Sequence, residues 1–147
     1  MPDELMPVSK NGRTAMDVAL EAARAAGNIL RDKFHSEHEV HFKGRSDIVT
    51  DVDLAAEKTI LELLTGEFPD FSILAEESKP VDGNSPYKWV VDPLDGTRNY
   101  AHGIPHFCTI IAHRFPIFLI NCLLSRLDSS HILAMLTNPC RVRHFEE

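Results

Sequence analysis

Apolar positions change their period along this chain, and each change marks an element. Thr14 and Asp17 are spaced as a helix-capping pair, and Val18, Ala19, Ala22, Ala26, Ile29 and Leu30 then recur at helical spacing to about Phe34. They predict an amphipathic helix whose alanines are a close-packing face. Glu39 to Phe42 alternates like a short strand, with Val40 and Phe42 on one side and His41 on the other. Asp47 to Val49 reads as a second extended piece, and Thr50 as the N-cap of a helix carrying Leu54, Glu57, Ile60, Leu61 and Leu64, which Gly66 can end. Phe68 to Ala75 is a turn feeding a strand, and Lys79 to Pro86 a surface connection. Trp89, Val90 and Val91 suit a buried strand, from which Pro93 should turn the chain away near Asp92. Phe107 to Ala112 is the next strand. Phe115 to Leu127 and Ser129 to Leu136 are apolar strands or helices without alternation.

The candidate chemistry gathers where the buried strand stops. Asp92 and Asp95 stand three residues apart across a tight turn, and two such carboxylates can converge on one hard cation, with the Leu94 carbonyl as a third oxygen. Gly96 lets the backbone approach a ligand, and Thr97 adds a hydroxyl. A helix starting between Asp95 and Thr97 would turn free amides toward a phosphate. Asp-Pro and Asp-Gly are also ordinary turn punctuation, and the spacing alone does not choose between the two readings. Thr50 and Asp53 are likewise explained by capping alone. His35, His38 and His41 lie three apart but need not converge, and read as solvated surface residues.

The full string WVVDPLDGTRNY, Trp89 to Tyr100, is far more specific than its spacing. It resembles the WxxDPxDGTxNF-like signature of the inositol monophosphatase family, magnesium-dependent and lithium-sensitive phosphomonoesterases, with Tyr100 for the usual Phe and Pro105 following in place. Lys43, Asp47, Asp53 and Glu57 are similar to the family's K…DxVTxxDxxxE block, and Ala75-Glu76-Glu77-Ser78 to its GEE(S/T) element, with alanine for glycine. The resemblance covers about Thr14 to Ala112. It implies the N-terminal α+β portion of a layered αβαβα α/β sugar-phosphatase fold, truncated, with two helices on a largely antiparallel sheet.

It also implies a site. Glu76, Asp92, the Leu94 carbonyl and Asp95 would be the Mg2+ ligands. Glu76 and Thr97 would activate the attacking water, and Asp92 and Asp95 would hold a second magnesium at the departing alkoxide. Gly96 and Thr97 would bind the substrate phosphate. Asp47 would orient Thr97 by a hydrogen bond, and Lys43, Asp53 and Glu77 would support the ligands from behind. The implied substrate is a small phosphomonoester, inositol monophosphate first, with fructose bisphosphate, histidinol phosphate or a nucleotide bisphosphate as relatives.

Composition adjusts this picture at its edges. A formal net charge of −7 on 147 residues disfavours nucleic acid and anionic membrane as partners, while concentrated acids suit cations. Three cysteines, Cys108, Cys122 and Cys140, have no paired spacing and fit a reducing cytoplasm. The most apolar run, Phe115 to Leu124, is about half a membrane span. Residues 1–13 read as a loose leader. After Gly103 no glycine occurs, three acids stand against four arginines, and that +1 leaves −8 for the rest. The family's later Trp-Asp motif, whose aspartate completes the metal site, has no counterpart, and Trp89 is the chain's single tryptophan. Residues 113–147 are therefore expected to be a divergent, truncated or frame-shifted tail. The alternative function is a catalytically dead remnant that keeps a cation-binding surface or exposes a half-core, through which a homodimer would form.

Overall fold

A computed structural model describes residues 6–115, 118–125 and 132–137. Its elements run α1 (Ala15–Lys33), β1 (Val40–Phe42), β2 (Ile48–Thr50), α2 (Asp51–Glu67), β3 (Ser72–Ala75), β4 (Lys88–Asp95), α3 (Thr97–Ala101), β5 (Cys108–Phe115), β6 (Phe118–Ser125) and β7 (Ile132–Thr137). β1 and β2 form a small antiparallel hairpin, and the other strands form one sheet in the order β3-β4-β5-β6-β7. β3 runs parallel to β4, and every other pairing is antiparallel. This is the expected α+β arrangement of two helices on a largely antiparallel sheet.

The alanine stripe of α1 does what small residues allow. Ala15, Ala19, Ala22, Ala23 and Ala26 are buried, so the backbone of α1 can approach α2, whose Val52, Ala56, Ile60 and Leu64 are also buried. Trp89, Val91 and Leu94 of β4 and Ile111 of β5 close the same core. At about 25 cal/mol per Å2 of apolar area, this one cluster is the main source of stability. Thr14 caps α1 and Thr50 caps α2, the latter as a complete capping box with Asp53.

Several expectations are corrected. Residues 1–5 lie outside the described residues, but from Met6 the leader is not loose: Val8 bridges Thr14, Ser9 N–H donates to the Arg13 carbonyl at 2.8 Å, and Met6 packs on the core. Gly66 lies within α2, which runs on to Glu67 before Phe68 and Pro69 stop it. β1 has no inward side: Val40 and Phe42 are both exposed, Phe42 at 76%. Of the three histidines, His38 is half-buried against the Tyr100 ring at 5.0 Å, whereas His41 is exposed beside Glu39. Within the Phe115 to Leu127 stretch, Phe118–Ser125 forms β6, and β7 follows, so the sheet continues past the point where the family likeness stops. Residues 126–131 and 138–147, with Cys140, lie outside the described residues.

β4 differs most instructively. Pro93 does not end it. The ladder breaks at Asp92, shifts register, and resumes at Asp95 opposite Cys108. A bulge accommodates the missing N–H of proline while keeping both aspartates on the sheet's end.

Candidate active site

Parallel pairing of β3 with β4 assembles the site. Ala75 lies opposite Val91, and the Glu76 N–H donates to the Val91 carbonyl at 3.1 Å, so Glu76 and Asp92 emerge side by side from neighbouring strand ends. The twelve-residue return from 76 to 87 makes this possible, since parallel neighbours need a long crossover. Through the bulge, Leu94 N–H donates to Asp92 Oδ1 at 3.1 Å and the Thr109 hydroxyl to the Pro93 carbonyl at 3.0 Å. Gly96 then takes φ 93°, and a Cβ there would meet the His106 carbonyl oxygen at 2.9 Å. Only glycine makes this turn without strain. Asp47, Glu76, Asp92, Leu94, Asp95, Gly96 and Thr97, all singled out from sequence, line one cleft of about 240 Å3.

The cleft is crowded with negative charge. Burial, a hydrogen bond with Glu76, and the charges of Glu76 and Asp95 push the Asp92 carboxyl up to about 8. At neutral pH Asp92 holds its proton unless a cation replaces it. On the far side, Lys43 Nζ lies 2.6 Å from Glu77, 3.5 Å from Glu76 and 4.0 Å from Asp47. Burial pulls its ammonium down, but Glu77 and the other two carboxylates carry it above the ordinary lysine value. Burial raises the Glu77 carboxyl against the pull of Lys43. The lysine thus ties the hairpin to the end of β3.

The residue behind Thr97 is Asp53, which corrects the assignment of Asp47. Thr97 Oγ1 lies 2.8 Å from Asp53 Oδ1 and 3.0 Å from the Leu94 carbonyl, whereas Asp47 is largely exposed and reaches toward Lys43. Asp53 is fully buried, and its other oxygen accepts the Thr50 N–H at 2.9 Å and the Thr50 hydroxyl. Such a satisfied, buried carboxylate is a fixed acceptor. It commits the Thr97 proton inward and leaves the lone pairs of Oγ1 to accept from a water in the cleft.

Three residues had no assigned role in the sequence. Glu57, matched in the block but unexplained, is buried, accepts the Glu77 N–H at 2.8 Å and the Ser78 hydroxyl, and so pins the turn bearing Glu76. Its position one helical turn after Asp53, on the face of the buried Val52 and Ala56, was the available signal. Arg98 lines the cleft and donates to the Ser46 carbonyl. Tyr100, in place of the usual Phe, is buried, and its hydroxyl donates to the Leu30 carbonyl at 2.7 Å.

Glu76, Asp92, Asp95 and the Leu94 carbonyl are hard oxygen donors of the kind magnesium takes, and the Asp92 carboxyl is raised first by burial and then by its carboxylate neighbours. As arranged, no three carboxylate, imidazole or thiol groups among the described residues stand close enough to close on one ion. The donor set therefore fits a cation that keeps several waters. No described helix is long and apolar enough to cross a membrane.

Comparison with known proteins places the chain. The inositol monophosphatase family profile matches residues 12–113. The chain is 43% identical over 102 residues to a Nus factor SuhB from Xylella fastidiosa, covering 68% of this chain and 37% of that protein. It is 42% identical over 100 residues to inositol monophosphatase 3 of Solanum lycopersicum, covering 65% and 37%. The crystal structure of the extragenic suppressor protein suhB from Bartonella henselae superposes with a TM-score of 0.75 at 32% identity, over 83% of this chain and 51% of that one. The chain thus spans under two fifths of the length of these curated relatives.

Proposed function

The chain belongs to the inositol monophosphatase family, and we propose that its cleft serves magnesium-dependent hydrolysis of a small phosphomonoester, with inositol monophosphate as the leading substrate. The observation that carries this reading is the convergence of Glu76, Asp92 and Asp95 with the Asp53-bound Thr97 on one cleft. Bound magnesium would neutralise phosphate oxygens and make a coordinated water acidic enough to attack. Glu76 and Thr97 would hold that water, the glutamate as proton acceptor and Thr97 Oγ1 through its outward lone pairs. The amides of Gly96 and Thr97, free of the helix ladder at the start of α3, would receive phosphate oxygens. Asp92 and Asp95 would carry the cation at the leaving-group side, with Lys43, Glu57 and Glu77 holding the framework.

The test is phosphate release from inositol 1-phosphate with magnesium, with added lithium, and in Asp92→Asn. Release that requires magnesium, falls with lithium and is lost in the variant supports the reading. A folded chain that releases none overturns it.

A second reading rests on the relatives named Nus factor SuhB, at 39–43% identity. In it the domain serves as a binding component in an assembly of the kind that name denotes, with its acidic cleft retained for cation-dependent folding. A cleft that binds magnesium and stabilises the chain without turning over any ester would favour this reading over the first.

A further inference from the structure

Two cations border the acidic cleft, and they are used differently. Lys43 is consumed by Glu77, Glu76 and Asp47. Arg98 lines the same cleft as Asp47, Glu76, Asp92 and Asp95, yet among the described residues its guanidinium pairs with none of them. It is exposed and donates instead to the Ser46 carbonyl in the β1–β2 turn. An arginine left beside four carboxylates would ordinarily close on one of them. Here a neutral backbone oxygen fixes it, and a guanidinium has five donors, so most of its fork and all of its charge remain available. The position is also free of the family pattern, whose signature leaves the residue between Thr97 and Asn99 open.

We propose that Arg98 is a specificity residue, selecting phosphomonoesters that carry a second anionic group, a phosphate or a carboxylate, over esters of neutral alcohols. The inference rests on the phosphomonoesterase reading. One anion of the substrate sits on the cation and on the amides near Thr97. The other is met by the guanidinium fork, which matches both phosphate and carboxylate geometry. Without Arg98 that second anion would face only the carboxylates of the cleft, and the like charges would repel it.

The experiment compares kcat/KM for fructose 1,6-bisphosphate and 3-phosphoglycerate, each divided by that for inositol 1-phosphate, in the natural chain and in Arg98→Gln. Glutamine keeps an N–H that can donate to Ser46, so the comparison isolates charge from tethering. The expected result is a fall of roughly tenfold or more in one or both ratios, carried by KM, as losing a charged hydrogen bond implies. Which ratio falls identifies the anion. The natural preference should also weaken at high salt. Unchanged ratios with all esters still hydrolysed overturn the assignment of Arg98 alone, and no hydrolysis of any ester overturns it together with the phosphomonoesterase reading.

Discussion

The Thr97 hydroxyl rests on Asp53, 44 residues earlier in the chain, at 2.8 Å, and the same carboxylate caps α2 through Thr50. One buried group therefore serves the helix start and the cleft together. Asp53→Ala is expected to leave the Thr50 N–H and hydroxyl without this acceptor and Thr97 with the Leu94 carbonyl alone, and to cost about 2–4 kcal/mol, from the lost cap and the unpaired buried groups. Asp47→Asn, at an exposed position, is expected to stay within about 0.5 kcal/mol. Urea denaturation of the two variants checks this, and equal losses would put the wrong aspartate behind Thr97.

Gly96 and Gly12 both have positive φ, 93° and 78°, but only Gly96 is hemmed in. Gly12→Ala is expected to cost the backbone term alone, roughly 1–2 kcal/mol. Gly96→Ala adds a clash with the His106 carbonyl and should lose at least about 1 kcal/mol more. Thermal melts of the pair decide it.

His113 is 4% exposed, packed on Tyr87 and Trp89 at ring distances of 5.0 and 5.2 Å, and burial lowers its pKa to about 4. The folded chain then binds fewer protons than the unfolded chain between about pH 4 and 6.5. Stability is fully present above 6.5 and is lost as pH falls toward 4, by roughly 3 kcal/mol for this group. A His113→Phe variant should show a flatter acid limb in denaturation midpoints measured across that window.

Asp92 titrates in the opposite sense. Its carboxyl is raised to about 8, so the folded chain holds a proton that the unfolded chain releases above about 4. Its contribution is present below about pH 4 and lost as pH rises toward 8. In EDTA, Asp92→Asn is expected to melt higher than the natural chain at pH 8, with the gap narrowing toward pH 4. Magnesium should stabilise the natural chain at pH 8 more than the variant.

Glu57 accepts the Glu77 N–H and the Ser78 hydroxyl from within the core. Glu57→Ala leaves the Glu77 N–H and the Ser78 hydroxyl without this acceptor, and a loss of about 1–3 kcal/mol is expected in urea unfolding. Weaker magnesium binding by calorimetry should accompany it, because the turn carrying Glu76 loosens.

Much of this was legible because it is local. The caps at Thr14 and Thr50, the alanine stripe of α1 and the glycine after Asp95 are each written within a few residues. What escaped is non-local or depends on side-chain direction. Asp47 and Asp53 both precede Thr97 by about fifty residues, and only the burial of α2's first turn decides which of them turns inward. The course of β4 through Pro93 was hidden because the bulge is fixed by β5, through the Thr109 hydroxyl, and not by the strand itself. Arg98 carries no pattern, and its role depends on where the β1–β2 turn folds over it.

The parallel register of β3 and β4 also bears on how the chain acquires its cleft. Glu76 and Asp92 are neighbours because two strands separated by a long return are zipped together, so no local turn can preform their spacing. Such a pairing is reached late, after the cost of closing the loop has been met. The amide hydrogen of Glu76, which donates to the Val91 carbonyl across the pair, should therefore become protected in the same step as the β3–β4 ladder, and an intermediate holding only the paired helices would have no cation-binding ability.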